Sequence, residues 1–447
     1  MRHFRSVCAA LAIVATTAFT PAQAERVRPQ PMPDAMPSEY RPLPRQDTVL
    51  VGATILDGAG GKHVGDVLMR DGRIVAVGSD LQVGDAKRID ATGKWITPGL
   101  IDVHTHYGTY LMPQGGPSDW SDVTEASSTN GADAWVEHAV RSSDPAFGYA
   151  LASGVTTAQI LPGSSVLISG RSVVVHTIPM PTVAQMKFPN APQGLKMACG
   201  GNSVNEDSFP TSRQGQIAGL EQYLREGQAF LDSDGDAGQH PKEATIAGAI
   251  EGRIPVHLHC YRADDIATWI AVLKKHGIKL GTVHHATEAY KIAPLLAREG
   301  ICSAVWPDWW GFKREAEDGI AENAAFLEAA GACVVMHSDI PLLGGLLNVE
   351  TAKAAASGRR AGIDIPPEKA IRWITSNAAR SLGLEDRIGT IAKGMNADIV
   401  VWSGDPFSVF SKPDLVFIDG AVAFDRNDPD RQPLSDFELG QPQREGM

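Results

Sequence analysis

The chain has 447 residues, 43% of them hydrophobic and 21% charged, with a formal net charge of −12. That length exceeds one ordinary compact core and predicts two domains, or one large barrel with additions. The composition excludes a disordered chain, and an acidic balance without any lysine- or arginine-rich run argues against nucleic acid as a partner.

Residues 1–24 read as an export signal. Arg2 and Arg5 give a basic start, Val7 to Phe19 is mostly apolar, and Ala22-Gln23-Ala24 supplies a small-residue cleavage pattern. The apolar run is short for a membrane span, so no stable insertion is expected after cleavage; an uncleaved anchor is the alternative. The expected destination is the periplasm of a bacterium. Residues 25–46, rich in proline, arginine and methionine, read as an extended leader segment. Residues 47–97 form a β-rich unit: Thr48–Val51, Ala53–Leu56, Val67–Met69 and Arg73–Gly78 are strand-like, with turns at Asp57-Gly58 and Asp71-Gly72.

Residues 98–384 alternate strand-like and helix-like segments, as a (β/α)8 barrel does. The strands are expected at 155–160, 194–197, 254–259, 280–284, 301–305 and 333–336. Helices are expected at 263–275, 288–298 and 317–330. The β-rich style returns over 385–429, with strands at 398–402, 415–418 and 421–424, which predicts a small β-sandwich assembled from both ends of the chain. Residues 430–447 read as a polar tail. Outside the signal there are four cysteines: Cys199, Cys260, Cys302 and Cys333. They show no Cys-x-x-Cys and no disulfide framework, so buried free thiols are expected, although an exported compartment permits a bridge.

The chemistry sits at strand ends. Ile96-Thr97-Pro98-Gly99-Leu100-Ile101-Asp102-Val103-His104-Thr105-His106 closes on two histidines that a strand places on one face, where they can share one metal ion. Lys196, His257, His259, His284, His285 and Asp339 also fall at or just beyond predicted strand ends, where a barrel gathers its functional groups. Singly, each has a plainer reading: a core histidine, a solvated lysine, an aspartate capping a helix. Trp306-Pro307-Asp308-Trp309-Trp310 follows a strand and is either a substrate loop or a packed lid.

Taken in order, these residues resemble the amidohydrolase superfamily, the metal-dependent hydrolases built on a TIM-like barrel. The sequence neighbourhood is that of imidazolonepropionase-related members. ITPGLIDVHTH resembles the first-strand signature, Thr282-Val283-His284-His285-Ala286-Thr287-Glu288 the strand-six pattern, His337-Ser338-Asp339 the strand-eight segment, and Lys393-Gly394-Met395-Asn396-Ala397-Asp398 the entry to the C-terminal sandwich. The resemblance implies metal ligands at His104, His106, Lys196, His259, His285 and Asp339, with Asp339 and His285 catalytic. It implies one or two divalent ions, zinc first among them. Protonated, Lys196 has no lone pair for a metal; Leu195-Lys196-Met197-Ala198-Cys199-Gly200-Gly201 resembles binuclear members in which the lysine is N6-carboxylated and bridges two ions. Some relatives carry a glutamate where this chain has Gly201. The alternative is a mononuclear site of His104, His106, His259 and Asp339.

The activity so implied is hydrolysis of an amide or peptide-like C–N bond by a metal-activated water, on a small-molecule substrate. Cyclic amide opening, ester or lactone hydrolysis and deamination are the alternatives on the same scaffold, and a non-catalytic metal-binding protein is the remote one. Tyr107, His257, Arg262 and Trp306 are the expected substrate contacts. A homo-oligomer is left open.

Overall fold

The computed structural model describes residues 35–110, 112, 121–233 and 235–432. The expected signal, the first part of the leader and nearly all of the polar tail lie outside those residues. Among the described residues no helix is long and apolar enough to cross a membrane.

Both ends of the chain meet in one eight-stranded mixed sheet. Its N-terminal strands are β1 (Thr48–Leu56), β2 (Lys62–Arg70), β3 (Arg73–Gly78), β4 (Lys87–Asp90) and β5 (Trp95–Pro98). β1 changes partner at Gly52, whose φ of 74° suits glycine. The residues before Gly52 run parallel to β4, and Thr54 and Ile55 run parallel to β5.

The middle of the chain holds β6 (Leu100–Thr105), β7 (Val155–Ile160), β8 (Ile168–Arg171), β9 (Val173–His176), β10 (Leu195–Ala198), β11 (Val256–Cys260), β12 (Leu280–His285), β13 (Cys302–Val305) and β14 (Cys333–Met336). Every residue of β6, β7, β10, β11, β13 and β14 is buried, the pattern of parallel strands covered on both faces. β10 to β14 run parallel in chain order, and β6 runs parallel to β7. The ring joins on one side where the Asp339 N–H donates to the His104 carbonyl at 2.8 Å.

On the other side the expected eight parallel strands give way to a different solution. β8 and β9 form one ribbon, broken only at Ser172, that pairs antiparallel with β10 and with β7. Seven parallel strands and this antiparallel ribbon therefore line the circuit among the described residues.

The C-terminal strands β15 (Ile399–Trp402), β16 (Pro413–Ile418) and β17 (Ala421–Asp425) complete the mixed sheet. β15 pairs antiparallel with β5, Ile399 opposite Pro98 and Trp402 opposite Trp95. β5 leads directly into β6, so this seam fixes the strand that carries the first two histidines. A large apolar core surrounds the barrel strands, a smaller one gathers Ile101, Val103, Val174, Ala304 and Val335, and another, including Leu50, Ile55, Val67, Ile96, Ile399 and Phe417, fills the sheet.

The expectation of free thiols is corrected. Cys199 is disulfide-bonded to Cys260, and Cys302 to Cys333, with Cα separations of 5.2 and 4.4 Å. Strand register is the cause. Cys302 lies directly opposite Cys333 on neighbouring parallel strands, and the Cys199 N–H donates to the His259 carbonyl beside Cys260. A register between strands 31 residues apart has no signature in cysteine spacing.

Candidate metal centre

The C-terminal ends of β6, β10, β11, β12 and β14 bring their polar side chains into one buried cluster. The donor atoms of His104, His106 and Asp339 lie within 4.8 Å of one another, and so do those of His104, His285 and His337. Asp339 Oδ1 is 3.2 Å from His104 Nε2 and 3.5 Å from His106 Nε2. Lys196 Nζ is 3.4 Å from His104 Nε2. The ring of His259 stands 4.4 Å from that of His285, centroid to centroid.

Backbone geometry aims two of these groups. His285 and Asp339 adopt φ of 71° and 65°, the left-handed region that non-glycine residues rarely occupy. His285 ends β12 and Asp339 lies three residues beyond the end of β14, so each kink falls where the chain leaves its strand. Such strain is held in place by surrounding structure and concentrates at functional sites.

Hydrogen bonds set the imidazole tautomers. His106 Nδ1 lies 2.9 Å from the Leu161 carbonyl and donates there, which orients the ring toward Asp339. His337 Nδ1 donates to the Val305 carbonyl at 3.1 Å, and its Nε2 accepts from His285 Nδ1 at 3.1 Å. His285 Nε2 then keeps its lone pair. His257 is spent differently. Its Nε2 accepts from the Gln159 amide at 3.2 Å, and its Nδ1 donates to His284 Nε2 at 3.0 Å. That chain lies deeper in the barrel and ties β7, β11 and β12 together.

Burial governs the charges. It holds the imidazoles of His104, His259, His284 and His285 well below their ordinary pKa, with Lys196 adding to the effect. His257 falls to about 3 and His337 to about 4, both chiefly by desolvation. Desolvation also brings Lys196 down to about 7, against the pull of Asp339. For Asp339, burial alone would raise the pKa; the hydrogen bond and charge of His106, with His337 and Lys196, outweigh it and hold the carboxyl below its ordinary value. At His104, His259 and His285 the cluster thus offers neutral imidazoles beside an ionised carboxylate, the forms in which these side chains bind metal.

The donor set fits a divalent ion. His104 Nδ1 and both nitrogens of His259 are buried without a hydrogen-bond partner. Buried polar atoms are normally satisfied, and an ion would take one nitrogen of each ring. Imidazole and carboxylate together suit a first-row divalent metal.

Three expected substrate contacts fall elsewhere. Tyr107 is buried, and its hydroxyl donates to Asp102 Oδ2 at 3.2 Å. Asp102 also accepts from the backbone N–H groups of His104 and Ser338, so Tyr107 braces the two ligand-bearing strands from behind. His257 belongs to the inner chain just described. Arg262 is half-buried and held by Asp264 at 2.6 Å, on the wall of a neighbouring surface cavity. Trp306 does border the cluster, stacked on His285 with centroids 4.4 Å apart and on His337 at 4.8 Å. His337 was legible in advance: it lies two residues before Asp339, the spacing of one strand face. Asp102 carried the same signal, two residues before His104. Tyr261, stacked on His285 at 5.3 Å, follows its strand with no pattern that marks it.

Neutral imidazoles and a carboxylate gathered at the C-terminal strand ends define a metal-dependent hydrolase of the barrel class. The amidohydrolase family model matches residues 95–423, and the chain belongs to that family. It is similar to an amidohydrolase from Thermotoga maritima MSB8, with a TM-score of 0.78 and 31% identity over 85% of this chain and 100% of that one. Amidohydrolase tasK of Hapsidospora irregularis is 27% identical over 399 residues, 81% of this chain; the chain spans only 40% of that relative's length. An imidazolonepropionase of Rhizorhabdus wittichii is 25% identical over 387 residues, 77% of this chain and 90% of that protein.

Proposed function

We propose that the protein is an exported hydrolase of amide or peptide-like C–N bonds, working with one or two zinc ions. The observation that carries this reading is the meeting of the Asp339 carboxylate with His104 and His106, beside a His259 whose two buried nitrogens have no partner. His104, His106, His259, His285 and Asp339 would hold the ion, which when bound acidifies water and polarises a carbonyl. Asp339 takes the proton from the attacking water and delivers it to the leaving nitrogen as the C–N bond breaks. The His106 contact keeps that carboxylate ionised and oriented. Lys196, brought down to about 7, is about half uncharged near neutral pH, and a neutral amine is the form that adds carbon dioxide. N6-carboxylation would convert it to the anionic ligand of a second ion.

The two disulfides and the signal-like residues 1–24 support export, because such bridges persist in oxidising compartments. Metal analysis of the purified protein and of Lys196→Ala, with an amide and dipeptide screen, tests the reading. About two equivalents, falling in the variant, are expected under the usual requirement of a bridging ligand for a binuclear pair. One equivalent, unchanged by the substitution, overturns the bridge. Hydrolysis that survives complete metal removal overturns the mechanism.

A further inference from the structure

The loop after β13 carries a cation over the catalytic mouth that the ligand cluster does not use. Lys313 Nζ lies 3.7 Å from the centroid of the Tyr261 ring, and that ring stacks on His285. Its ammonium donates to the side-chain oxygen of Asn202. It thus spans the ends of β10 and β11, the strands of Lys196 and His259. It also lines a cavity of about 880 Å³ with Gly201, Asn202 and Arg213 among its walls.

Three other cations of that cavity are held in ion pairs. Arg262 pairs with Asp264, Lys291 with Glu288 and Asp318, and Arg213 with Asp265 and Glu315. Lys313 is held more loosely than these three. Its hydrogen-bond acceptor is a neutral amide, and its nearest carboxylate oxygen, on Glu315, stands 3.7 Å off. The other Glu315 oxygen is taken by Arg213 and by the Gly201 N–H at 2.8 Å. Glycine at 200 and 201 is what admits this carboxylate: a Cβ there would stand 2.8 and 3.0 Å from its oxygens. Glu315 therefore acts as a positioning residue, anchored on the β10 turn. Burial brings the Lys313 ammonium down to about 8, with Glu315 and Asp339 pulling the other way. It remains a cation at neutral pH, partly stripped of water, close enough to add to the depression of His259.

We propose that Lys313 is a substrate-recognition residue whose ammonium takes a carboxylate carried by the substrate beside the scissile bond. This rests on the hydrolase reading above and names its substrate class: amides bearing a free carboxylate. A desolvated cation with a weak neutral acceptor gains most from an incoming carboxylate, which forms a charge-assisted hydrogen bond with it.

Two measurements on the zinc-loaded protein test this. In the first, dipeptides with free C-terminal carboxylates are compared with the matching carboxamides, and cleavage of the internal bond is followed by mass spectrometry. Lys313→Met is expected to raise KM for the carboxylates about ten- to a hundredfold, the worth of a hydrogen bond to a charged group, with kcat changed by less than about threefold. The carboxamides are expected to be unaffected, and Lys313→Arg to retain the preference. An equal loss on both series overturns the proposal. The second is calorimetric binding of succinic monohydroxamate and of its methyl ester, which needs no turnover. Tighter binding of the acid, lost in Lys313→Met, supports the Lys313 site even if no dipeptide is cleaved, in which case the hydrolase reading falls alone. Equal binding of acid and ester to the unsubstituted protein overturns the Lys313 site and leaves the hydrolase reading standing.

Discussion

Asp339 combines three properties that rarely coincide in one residue. It is in the left-handed region, its backbone N–H joins β14 to β6, and one carboxylate oxygen faces two imidazoles. The backbone bond survives substitution by asparagine, and so does most of the shape. The proton acceptor does not survive, because an amide is far too weak a base near neutral pH. Asp339→Asn is therefore expected to fold, with an unchanged circular dichroism spectrum, and to lose about 10²- to 10⁴-fold in kcat, the usual worth of a positioned acid–base group. A loss under tenfold on the best amide substrate would move the proton transfer to another residue. The same scale shows where the Tyr107 side chain goes. It adjoins His106, but β6 has ended, and its ring turns back to Asp102, where Gly344 leaves room: a Cβ at 344 would stand 1.7 Å from the hydroxyl.

At the scale of elements, local pattern and long-range pairing part company. The strand Val155–Ile160 and the helix Ala263–Lys275 coincide with the sequence expectation. The helix has a clear apolar face in Ile266, Trp269, Ile270 and Leu273, with acids in its first turn and lysines in its last, which suits the helix dipole. The helix expected over 317–330 shrinks to Asn323–Ala329, because Gly319 and the turns around it belong to the catalytic-face loop. The β8–β9 ribbon was not legible, since its role is defined only by the two strands it bridges. The disulfides were hidden for the same reason. Cys302–Cys333 pins the starts of two adjacent strands, remote in sequence from the ligand positions at their ends. Replacing both cysteines with serine is expected to cost about 2–4 kcal/mol in denaturant unfolding, the typical worth of a disulfide. Metal content should not change. Unaltered stability would mean that the strand pairing alone holds this register.

Across the whole molecule, the residues read as a leader act as a strap. The Met36 N–H donates to Glu137 at 2.8 Å, and Lys187 Nζ donates to both Glu137 and the Met36 carbonyl. Tyr40 reaches Asp419 beside the terminal sheet at 3.0 Å, while its ring packs 4.3 Å from His176, which stacks in turn on Phe188. The strap thus joins barrel to sheet through a buried imidazole. Desolvation lowers His176 to about 4, below the ordinary value near 6.5. The unfolded chain therefore takes up this proton first. The contribution to stability is whole above about pH 6.5 and is lost as pH falls through about 4, a difference of roughly 3 kcal/mol for a shift of this size. His176→Phe keeps the ring between Tyr40 and Phe188 and removes the titration. Thermal unfolding from pH 7.5 to 4 should then fall less steeply in the variant than in the parent, with the two curves diverging below about pH 6.5. Parallel curves over that range would show that His176 is not buried uncharged, and that the acid sensitivity of the strap lies with another group.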